Sequence, residues 1–501
     1  MSSPHVITLP QPLLTLLREV LYAFPGSREG KIWLVGGVVR DLALGVTDLY
    51  DLDLALPENP SVFANEYARQ KKAGFVMLDE EHAVARIIRG IDGTSFTIDL
   101  AKFRAPTIDE DLAARDFTFN AMAVQLTWPL LEATLPVHDP LGGWDDLMAK
   151  KVKPCSDKLF TDDPLRMLRA FRFASRFGAE ITPDLLALIK RDAPLMKTVS
   201  GERIRDEFFK ILSVPKSAHW ITAMADAGVL DEFLPEFTFT RGVEQNRWHH
   251  LDVFEHTIEA LEKFEAMLES GLPIDGWKKI AKFLDEPASG TRTFAVLLKF
   301  AMILHDTGKP VCKRFDEGSN KIIFHGHEME GARLSKIVGE RLKLSSNEVS
   351  LLMKVAKNHM RPGVIIQEGV TDRRLFRYFS ETGRDGVGIA LLSLADRKAA
   401  QGVDAVDDLP KFEEGIRGIM ETFYKQMEYA RQKPLLTGHD LIADLRIMPG
   451  PLFKEILEEI REAQHLGRIH TRAEATELAR KTLFAKQTIG GARPPTPTHE
   501  G

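Results

Sequence analysis

Two aspartates separated by one residue, Asp51 and Asp53, are the side chains of this chain best suited to phosphoryl chemistry. They lie in the segment DLDLAL, where leucines alternate with the acids, so a strand would place both carboxylates on one face. Adjacent carboxylates repel each other unless a cation lies between them, and such pairs hold divalent metal in nucleotidyl transfer. An isolated Asp-x-Asp pair is more often a solvated strand edge, so only the neighbouring segments can indicate whether this pair binds metal.

The segment before the aspartates predicts the elements that position them. Ile32 to Val35 is an apolar run typical of a buried strand, and Gly36 and Gly37 follow it. Glycines allow a tight turn and let a phosphate approach the backbone N–H groups. A helix is predicted from Val38 to Leu44, with Arg40 in its first turn, before the strand that carries the aspartates.

The order LVGGVVRD followed by DLD resembles the signature of the class II tRNA nucleotidyltransferase and bacterial poly(A) polymerase family. The resemblance implies an α+β chain. Its N-terminal polymerase-β-like nucleotidyltransferase head, of mixed sheet plus helices, precedes a mostly α-helical neck, an HD domain and a C-terminal helical region. It also implies that Asp51 and Asp53 are catalytic and hold two Mg²⁺ ions, and that Gly36, Gly37 and Arg40 bind nucleotide.

A second head motif, DLAARDFTFNAMAV, resembles the family motif that usually carries two arginines before an aspartate. Ala114 replaces the first arginine, while Arg115 and Asp116 remain. In the family this arginine and aspartate lie near the triphosphate and the ribose. An arginine can hold a phosphate bidentately, and a carboxylate can accept a hydrogen bond from a sugar hydroxyl. We therefore expect Arg115 and Asp116 to bind nucleotide.

Asp99 is a further acidic residue of the predicted head. It falls on a strand predicted at Ser95–Phe103, on the face opposite three apolar residues. It could be a third carboxylate behind the pair of aspartates, and a solvated strand edge is an equal alternative.

The segment LFTDDPLRMLRAFRFASRFG predicts a helix capped by Thr161, Asp162 or Asp163, with Pro164 in its first turn. Three arginines recur every third residue and would share one face of this helix: Arg166, Arg169 and Arg172. Such a stripe is often only a solvated face. The segment nevertheless resembles the family's nucleotide-selecting motif, Glu-Asp-x-x-Arg. Asp162 replaces the glutamate, and Asp163 and Arg166 match.

The chemistry of the matching pair is specific. Cytosine and adenine both present an exocyclic NH₂ beside a ring-nitrogen acceptor, so the Asp163 carboxylate can accept and the Arg166 guanidinium can donate. Uracil and guanine would oppose like groups and leave polar groups unpaired. Arg169 and Arg172 would hold phosphates or fix the helix, and Val199–Leu212 would form a helix that braces it.

The second half of the chain contains a group of candidate metal ligands. A single histidine is more often packed than ligating, but the doublet His305–Asp306 ends an apolar segment and precedes Thr-Gly-Lys. This order resembles the HD phosphohydrolase superfamily, whose ligands here would be His256, His305, Asp306 and Asp396. His327 and His359 could complete a second metal site or contact phosphate. Imidazole and carboxylate together suit Ni, Mn, Fe, Co or Zn better than Ca, and an inactive HD fold is the alternative.

These motifs predict five regions: a nucleotidyltransferase head at 1–150, a helical neck at 151–240, an HD domain at 241–410, a C-terminal helical RNA-binding region at 411–486 and a disordered tail at 487–501. Basic residues of the C-terminal region could contact RNA phosphates or lie on solvated helix faces: Lys454, Arg461, Arg468, Arg472 and the segment 480–486. The Pro-, Gly- and Thr-rich composition of 487–501 is typical of disorder.

Composition argues against a protein with a generally basic surface, a disulfide-stabilised secreted protein and a membrane-spanning protein. The 501 residues carry a formal net charge of −6, so any contact with nucleic acid must come from local basic patches. Two cysteines form no ligand cluster and no disulfide framework, which fits a reducing cytoplasm. The N-terminus lacks the basic region of a secretory signal, and no apolar run is long enough to span a membrane.

Three functions compete for this sequence: addition of C residues or of all of CCA to tRNA 3′ ends, a poly(A) polymerase, and an HD metal phosphohydrolase with an RNA-binding head. The intact aspartates disfavour the third, and the HD domain disfavours the second. Only APTIDE separates Arg104 from Asp111, whereas family members that add the final A usually carry a longer flexible segment. We therefore favour a CC-adding enzyme that uses tRNA and CTP, with ATP in the CCA alternative and a separate enzyme adding A.

Overall fold

A computed structural model describes residues 5–80, 83–91, 93–402, 408–430, 433–445 and 450–490. The chain divides into two compact units, Met1–Pro235 and Glu236–Gly501. The fold is α+β as predicted, because the first unit contains a six-stranded mixed sheet and the second is almost entirely helical. Among the described residues, no helix is both long and apolar enough to cross a membrane.

The first unit contains strands and helices in mixed order. Its strands are β1 Val6–Thr8, β2 Ile32–Val35, β3 Asp51–Leu56, β4 Gly74–Asp79, β5 Val84–Ile91, β6 Thr94–Lys102, β7 Ala123–Leu126, β8 Thr134–Pro136, β9 Lys151–Val152 and β10 Glu180–Ile181. Its helices are α1 Gln11–Ala23, α2 Gly37–Ala43, α3 Ser61–Lys71, α4 Ile108–Ala113, α5 Gly143–Met148, α6 Leu159–Asp162, α7 Arg166–Phe177, α8 Pro183–Asp192, α9 Gly201–Leu212 and α10 Ser217–Asp226.

The main sheet has the strand order β4-β5-β6-β3-β2-β7. Strands β3 and β6 run parallel, and the other neighbouring pairs are antiparallel. Leu52, Leu54 and Leu56 of β3 are buried, so the alternation predicted from the sequence sets the face on which the aspartates lie. Strands β2 and β3 have the predicted bounds.

The arginine-rich helix begins later than predicted, so the expected cap at residues 161–163 is wrong. A short helix, α6, ends at Asp162, and α7 begins only at Arg166. Asp163 has an extended backbone, φ −152° and ψ 102°, because a residue before proline disfavours the helical conformation. Its carboxylate accepts a hydrogen bond from the backbone N–H of Leu165 at 3.2 Å, which stabilises the connection between the two helices.

The boundary between the two units falls within the short helix α11 Pro235–Thr238, and the second unit begins at Glu236. It then contains α12 Val253–Ser270, α13 Trp277–Leu284, β11 Pro287–Ser289, β12 Arg292–Thr293, α14 Phe294–Leu304, α15 Lys309–Cys312, β13 Arg314–Asp316, β14 Lys321–Ile323, α16 His327–Arg341, α17 Ser346–Asn358, α18 Arg361–Glu368, α19 Asp372–Thr382, α20 Gly386–Ala399, α21 Leu409–Ala430, α22 Gly438–Leu445, α23 Pro451–His465 and α24 Arg472–Gly490. Every residue of α14 is buried, so this helix forms the centre of the unit and delivers His305 at its end.

The last three helices share a small hydrophobic core that includes Leu441, Ile456, Ile460 and Ala475. Helix α24 continues to Gly490, so it includes the first residues of the tail predicted at 487–501. The rest of that predicted tail, 491–501, lies outside the described residues.

Candidate functional site

The paired aspartates lie on β3 with both carboxylates on its exposed face. Asp53 pairs in register with Asp99 of the parallel strand β6, so a third carboxylate lies directly beside the pair. Asp99 is held by Arg86, whose Nε and Nη2 donate to its two carboxylate oxygens at 2.8 Å each. The prediction that Asp99 lies behind the pair therefore agrees with the register of the sheet.

Asp53 has a raised pKa. Desolvation by the surrounding walls is the largest cause; Arg115 opposes it, and the negative charges of Asp99 and Asp51 add to it. The three carboxylates therefore repel one another, and a divalent cation at this position would relieve the repulsion. The fit of a metal therefore rests on the position of the three acids, since Asp53 is in register with Asp99 and shares a face of β3 with Asp51.

Gly36 is the tight turn between β2 and α2. Its φ is +74°, a conformation that side chains other than glycine rarely adopt. A Cβ there would lie 3.2 Å from Oδ2 of Asp53 and 3.3 Å from Nη1 of Arg115. The glycine therefore lets the backbone lie against both the acid and the guanidinium, while Gly37 begins the helix.

A cleft of about 540 Å³ brings the predicted nucleotide-binding residues together. Its walls include Gly36, Gly37, Arg40, Asp53, Arg115, Asp116, Asp163, Arg166, Arg169 and Arg172. Of the predicted head residues, Asp51 alone does not line it; that residue is exposed two positions earlier on the same face of β3. Asp99, the possible third carboxylate, also lines the cleft, and so do residues that the sequence motifs did not assign to nucleotide binding: Lys102, Arg104, Asp111, Asn120, Arg176 and Arg203.

Asp116 is buried and fully engaged by its neighbours. It accepts hydrogen bonds from Nε of Arg169 at 2.9 Å, from Nδ2 of Asn120 at 2.9 Å and from the N–H of Phe117. Burial by itself would raise its pKa, but Arg169 and these hydrogen bonds outweigh burial and lower it. Asp116 therefore fixes α7 against the head, since Arg169 belongs to that helix.

Arg40 belongs to the same network. Its Nη1 donates to Oδ1 of Asn120 at 2.6 Å and its Nε donates to Asp41 at 2.8 Å. The guanidinium also lies 5.3 Å from the ring centroid of Phe173, a residue of α7. Only 5 % of Arg40 is exposed, so its position in the cleft wall is set by these contacts.

Arg172 is paired with a glutamate of the bracing helix α9. Its Nε lies 2.7 Å from Oε2 of Glu207, and burial lowers the pKa of the guanidinium to about 10 despite that glutamate. The predicted helix at 199–212 is thus observed at Gly201–Leu212 against α7. Ser200 occupies its N-cap, but the serine side chain makes no capping hydrogen bond.

Asp163 and Arg166, the predicted base-reading pair, are each held in position by different neighbours. Asp163 accepts a hydrogen bond from Nη2 of Arg203 at 2.8 Å, and both side chains are partly exposed. Arg166 donates from Nη2 to the carbonyl of Ala114 at 3.2 Å and from Nη1 to that of Leu159 at 3.4 Å. Asp163 and Arg166 both line the cleft. The sequence motif did not reveal that Arg203 contacts Asp163.

A second cluster, in the other unit, brings together the predicted HD ligands. Ligand atoms of His256, His305, Asp306 and Asp396 all lie within 4.8 Å of one another, as do those of Asp306, His327 and His359. Asp306 belongs to both groups, so its two oxygens face two sets of imidazoles. His325, in contrast, is exposed and does not join either group.

Backbone carbonyls orient three of the four imidazoles, while the ring of His256 contacts Asp396 through Nε2 at 2.7 Å. Nδ1 of His305 contacts the carbonyl of Met302 at 2.6 Å, Nδ1 of His327 that of Phe324 at 2.8 Å and Nδ1 of His359 that of Ala356 at 2.7 Å. This pattern places the proton on Nδ1 and leaves the lone pair of Nε2 directed at the centre. An orientation of this kind is typical of metal ligands.

The carboxylates of the HD cluster favour a positive charge at its centre. Burial by itself would raise the pKa of Asp306, yet His305 and Lys309 hold it well below its usual range, and His256 does the same for Asp396. Oδ1 of Asp306 is buried with no hydrogen-bond partner among the described residues, 3.6 Å from Nε2 of His327. The donor set thus fits a divalent transition metal.

The basic residues predicted to contact RNA lie on the C-terminal helices. Lys454 is exposed on α23, and Arg461 lines a groove in the second unit. Arg468 and Arg472 are both paired with acids, at 3.1 Å to Glu462 and 2.6 Å to Asp440. The predicted basic segment 480–486 lies on α24, and the structure describes its side chains from 480 to 485.

Three protein-family descriptions match the chain. “Poly A polymerase head domain” matches residues 32–153, “Probable RNA and SrmB- binding site of polymerase A” matches 178–240, and “HD domain” matches 253–401. The first description covers the cleft strands, and the third covers all six candidate ligands of the HD cluster.

Two curated proteins are similar over nearly their whole length. The A-adding tRNA nucleotidyltransferase of Deinococcus radiodurans is 32% identical over 91% of this chain and 96% of its own. The CC-adding tRNA nucleotidyltransferase of Geobacter sulfurreducens is 30% identical over 91% and 93%. The solved structure of the Thermotoga maritima CCA-adding enzyme complexed with tRNA shares the fold, with a TM-score of 0.58, 21% identity and 95% of each chain covered.

Proposed function

Because the chain belongs to the tRNA nucleotidyltransferase family, we propose that it extends the 3′ end of tRNA with CTP and Mg²⁺, without a nucleic-acid template. One observation carries the proposal. Asp53 lies beside Asp99 and Asp51, in the cleft that also contains the arginines of three motifs. This combination suits a metal-bound triphosphate, because the acids hold the cation and the guanidiniums hold the phosphates.

Asp51 and Asp53 are the proposed magnesium ligands. When bound there, magnesium would activate the RNA 3′-hydroxyl and neutralise charge on the attacked α-phosphate, so that pyrophosphate leaves. The protein's own contribution is position: Gly36 lets the nucleotide approach the backbone, and Arg115 is held beside that glycine by Asp111 at 2.9 Å. Arg40 holds its wall of the cleft through Asn120.

Asp163 and Arg166 are the proposed readers of the incoming base. Arg166 is supported by two backbone carbonyls, which fix the guanidinium and leave its remaining N–H groups free to donate to a base. The Asp163 carboxylate is supported by Arg203 and by a backbone N–H. Arg169 and Arg172 are proposed to fix the helix, since Asp116 and Glu207 already engage them.

The connection between Arg104 and Asp111 supports a CC-adding enzyme. Thr107 caps α4, and its backbone and side chain both bond to Glu110 in a capping box. The Asp111 carboxylate accepts the backbone N–H of Arg104 at 2.9 Å, which ties the start of the connection to its end. So short and constrained a segment has little slack to move when the pocket changes from C to A.

A second candidate is addition of the terminal A alone. It is favoured by the Deinococcus radiodurans relative, whose identity of 32% is similar to the 30% of the CC-adding relative. Sequence identity therefore does not separate the two specificities. In either case a separate enzyme of complementary specificity would complete the tRNA end.

The test supplies the full chain with tRNA ending before CCA and with tRNA ending in CC, each with CTP, ATP or both. A CC-adding enzyme extends the first tRNA by two residues with CTP and leaves the second unchanged. Efficient addition of A to the second tRNA would instead identify the A-adding or the full CCA reaction, and extension of the first tRNA separates those two. A long poly(A) product on either tRNA would reject all three.

The HD cluster supports a second, separate proposal, a metal-dependent phosphohydrolase site. Asp306 could bridge two ions, one on the side of His256, His305 and Asp396 and one on the side of His327 and His359. Hydrolysis of a 2′,3′-cyclic phosphate would test it. We also propose that the two compact units divide further, into a head and a neck in the first and an HD domain and a C-terminal helical region in the second.

A further inference from the structure

Arg104 precedes the short connection that leads to Asp111, and no sequence motif assigns a function to this arginine. It is exposed on the wall of the cleft, together with Arg115 and Arg166. One buried carboxylate positions two of these residues: Oδ1 of Asp111 accepts the backbone N–H of Arg104, and Oδ2 accepts Nη2 of Arg115, both at 2.9 Å. Asp111 is only 2 % exposed, so this arrangement is built into the head.

The guanidinium of Arg104 differs from most others in the cleft. Arg40, Arg115, Arg169, Arg172 and Arg203 each pair with a carboxylate. Within the described part of the chain, the Arg104 guanidinium has no such partner, and that of Arg166 donates only to backbone carbonyls. Among the described arginines of the cleft, these two guanidiniums therefore form no ion pair with a carboxylate.

The neighbourhood of Ala114 explains why a further cation is useful. Ala114 stands where the related motif has its first arginine, and its carbonyl is occupied by Arg166. No side-chain charge is available at that position. Arg104 can contribute a positive charge to the same cleft, because it lines that cleft with Arg115 and Arg166 and interacts electrostatically with both.

The three guanidiniums together favour an anion. Although part of the Arg104 side chain is open to solvent, desolvation by the surrounding cleft walls and the positive charge of Arg115 lower the pKa of its guanidinium, and the negative charge of Asp111 opposes them. Like charges held this close repel one another until a polyanion lies among them, and a guanidinium can bind phosphate oxygens bidentately. We propose that Arg104 is a nucleotide-binding residue whose guanidinium, together with Arg115, holds the triphosphate of the incoming nucleotide in the absence of an arginine at Ala114.

This inference rests on the proposed function and is tested first by binding alone. Calorimetric titration of the full chain with CTP and with inorganic tripolyphosphate is compared for wild type, Arg104→Ala and Arg104→Lys. Loss of one charge-assisted contact should weaken both ligands about tenfold in Arg104→Ala. Arg104→Lys should recover part of the affinity, since charge without the planar fork is retained. Unchanged affinity for tripolyphosphate in Arg104→Ala would overturn the inference.

Two further measurements separate a direct role from a structural one. Arg69→Ala removes an exposed arginine of α3 outside the cleft and should leave both affinities unchanged. Thermal unfolding should be the same for Arg104→Ala and wild type, because the side chain is exposed. In tRNA extension, Arg104→Ala should raise KM for CTP more than it lowers kcat. An unaltered KM would reject this inference while the proposed function stands, and tripolyphosphate binding without any tRNA extension would reject the proposed function alone.

Discussion

The head cleft and the HD cluster hold their functional side chains in opposite ways. In the cleft, acids and arginines pair with one another, as in Asp116 with Arg169 and Glu207 with Arg172. In the HD cluster, backbone carbonyls orient His305, His327 and His359 and leave their Nε2 atoms directed at Asp306, which the two groups of candidate ligands share. The first arrangement suits a large, flexible, charged substrate, and the second suits a small cation with fixed ligand directions.

The same difference decides what each residue can do. Arg169 and Arg172, which are bound by buried carboxylates, shape the cleft, whereas Arg104 and Arg166 have no such partner among the described residues and are available to the substrate. Arg115 is intermediate, because Asp111 engages its Nε and Nη2 while its Nη1 lies beside Gly36. In the HD cluster, the predicted residues are themselves the candidate ligands, and the carbonyl partners of His305, His327 and His359 lie on the Nδ1 side of each ring. Substitutions in the two regions should therefore have separable effects.

The largest effect is expected from Asp53→Ala. Removing this acid takes away a proposed magnesium ligand beside Asp99, and nucleotide addition to tRNA should fall about 10³-fold. The rate of CTP incorporation measures it. Asp48→Ala, an exposed aspartate in the preceding turn, is the matched control and should retain activity. If the metal content of the HD cluster also fell in Asp53→Ala, the separation of the two regions would be wrong.

The sequence predicted the members of both sites better than their contacts. The alternation in DLDLAL gave the face of β3 on which Asp51 and Asp53 lie, because a period of two depends only on the strand itself. It could not show that Asp163 would bond to Arg203, since the two are 40 residues apart and meet only through tertiary packing.

The start of α7 shows a second limit. The pattern of capping residues suggested a helix from Pro164, but α6 ends at Asp162 and α7 begins only at Arg166, with Leu165 as its N-cap. Arg104 went unnoticed for a related reason. Nothing in its local sequence marks it, and its role depends on the partners that its neighbours in the cleft already have.

A smaller but distinct effect is expected in the other region from His305→Ala. The imidazole is fully buried and contacts both Asp306 and Asp396, so its loss should weaken metal binding about 100-fold. Elemental analysis after purification, followed by titration with Mn²⁺ or Ni²⁺, measures the change. His325→Ala is the control, because that histidine is exposed and lies outside both ligand groups. Equal metal content in His305→Ala and wild type would contradict the assignment of the cluster.

The smallest effect is expected from Asp116→Asn, which tests whether the paired acids of the cleft are structural. Asparagine keeps the shape and can still accept the hydrogen bond from the N–H of Phe117, but it leaves Arg169 without a charged partner. The free energy of unfolding at neutral pH should fall by about 2 kcal/mol, the scale of a hydrogen bond to a charged group. Chemical denaturation of the full chain measures it.

The pH dependence of this difference gives the decisive control. The pKa of Asp116 is lower in the folded chain than its ordinary value of 3.8, so its stabilisation is present above that value and is lost as the pH falls through the folded pKa. The curves of wild type and Asp116→Asn should therefore converge in acid and run parallel at higher pH. Asp206→Asn, in the exposed pair with Arg205, should change little at any pH. A difference for Asp116 that persists unchanged into strong acid would show that packing, and not the charge on the carboxylate, holds α7 in place.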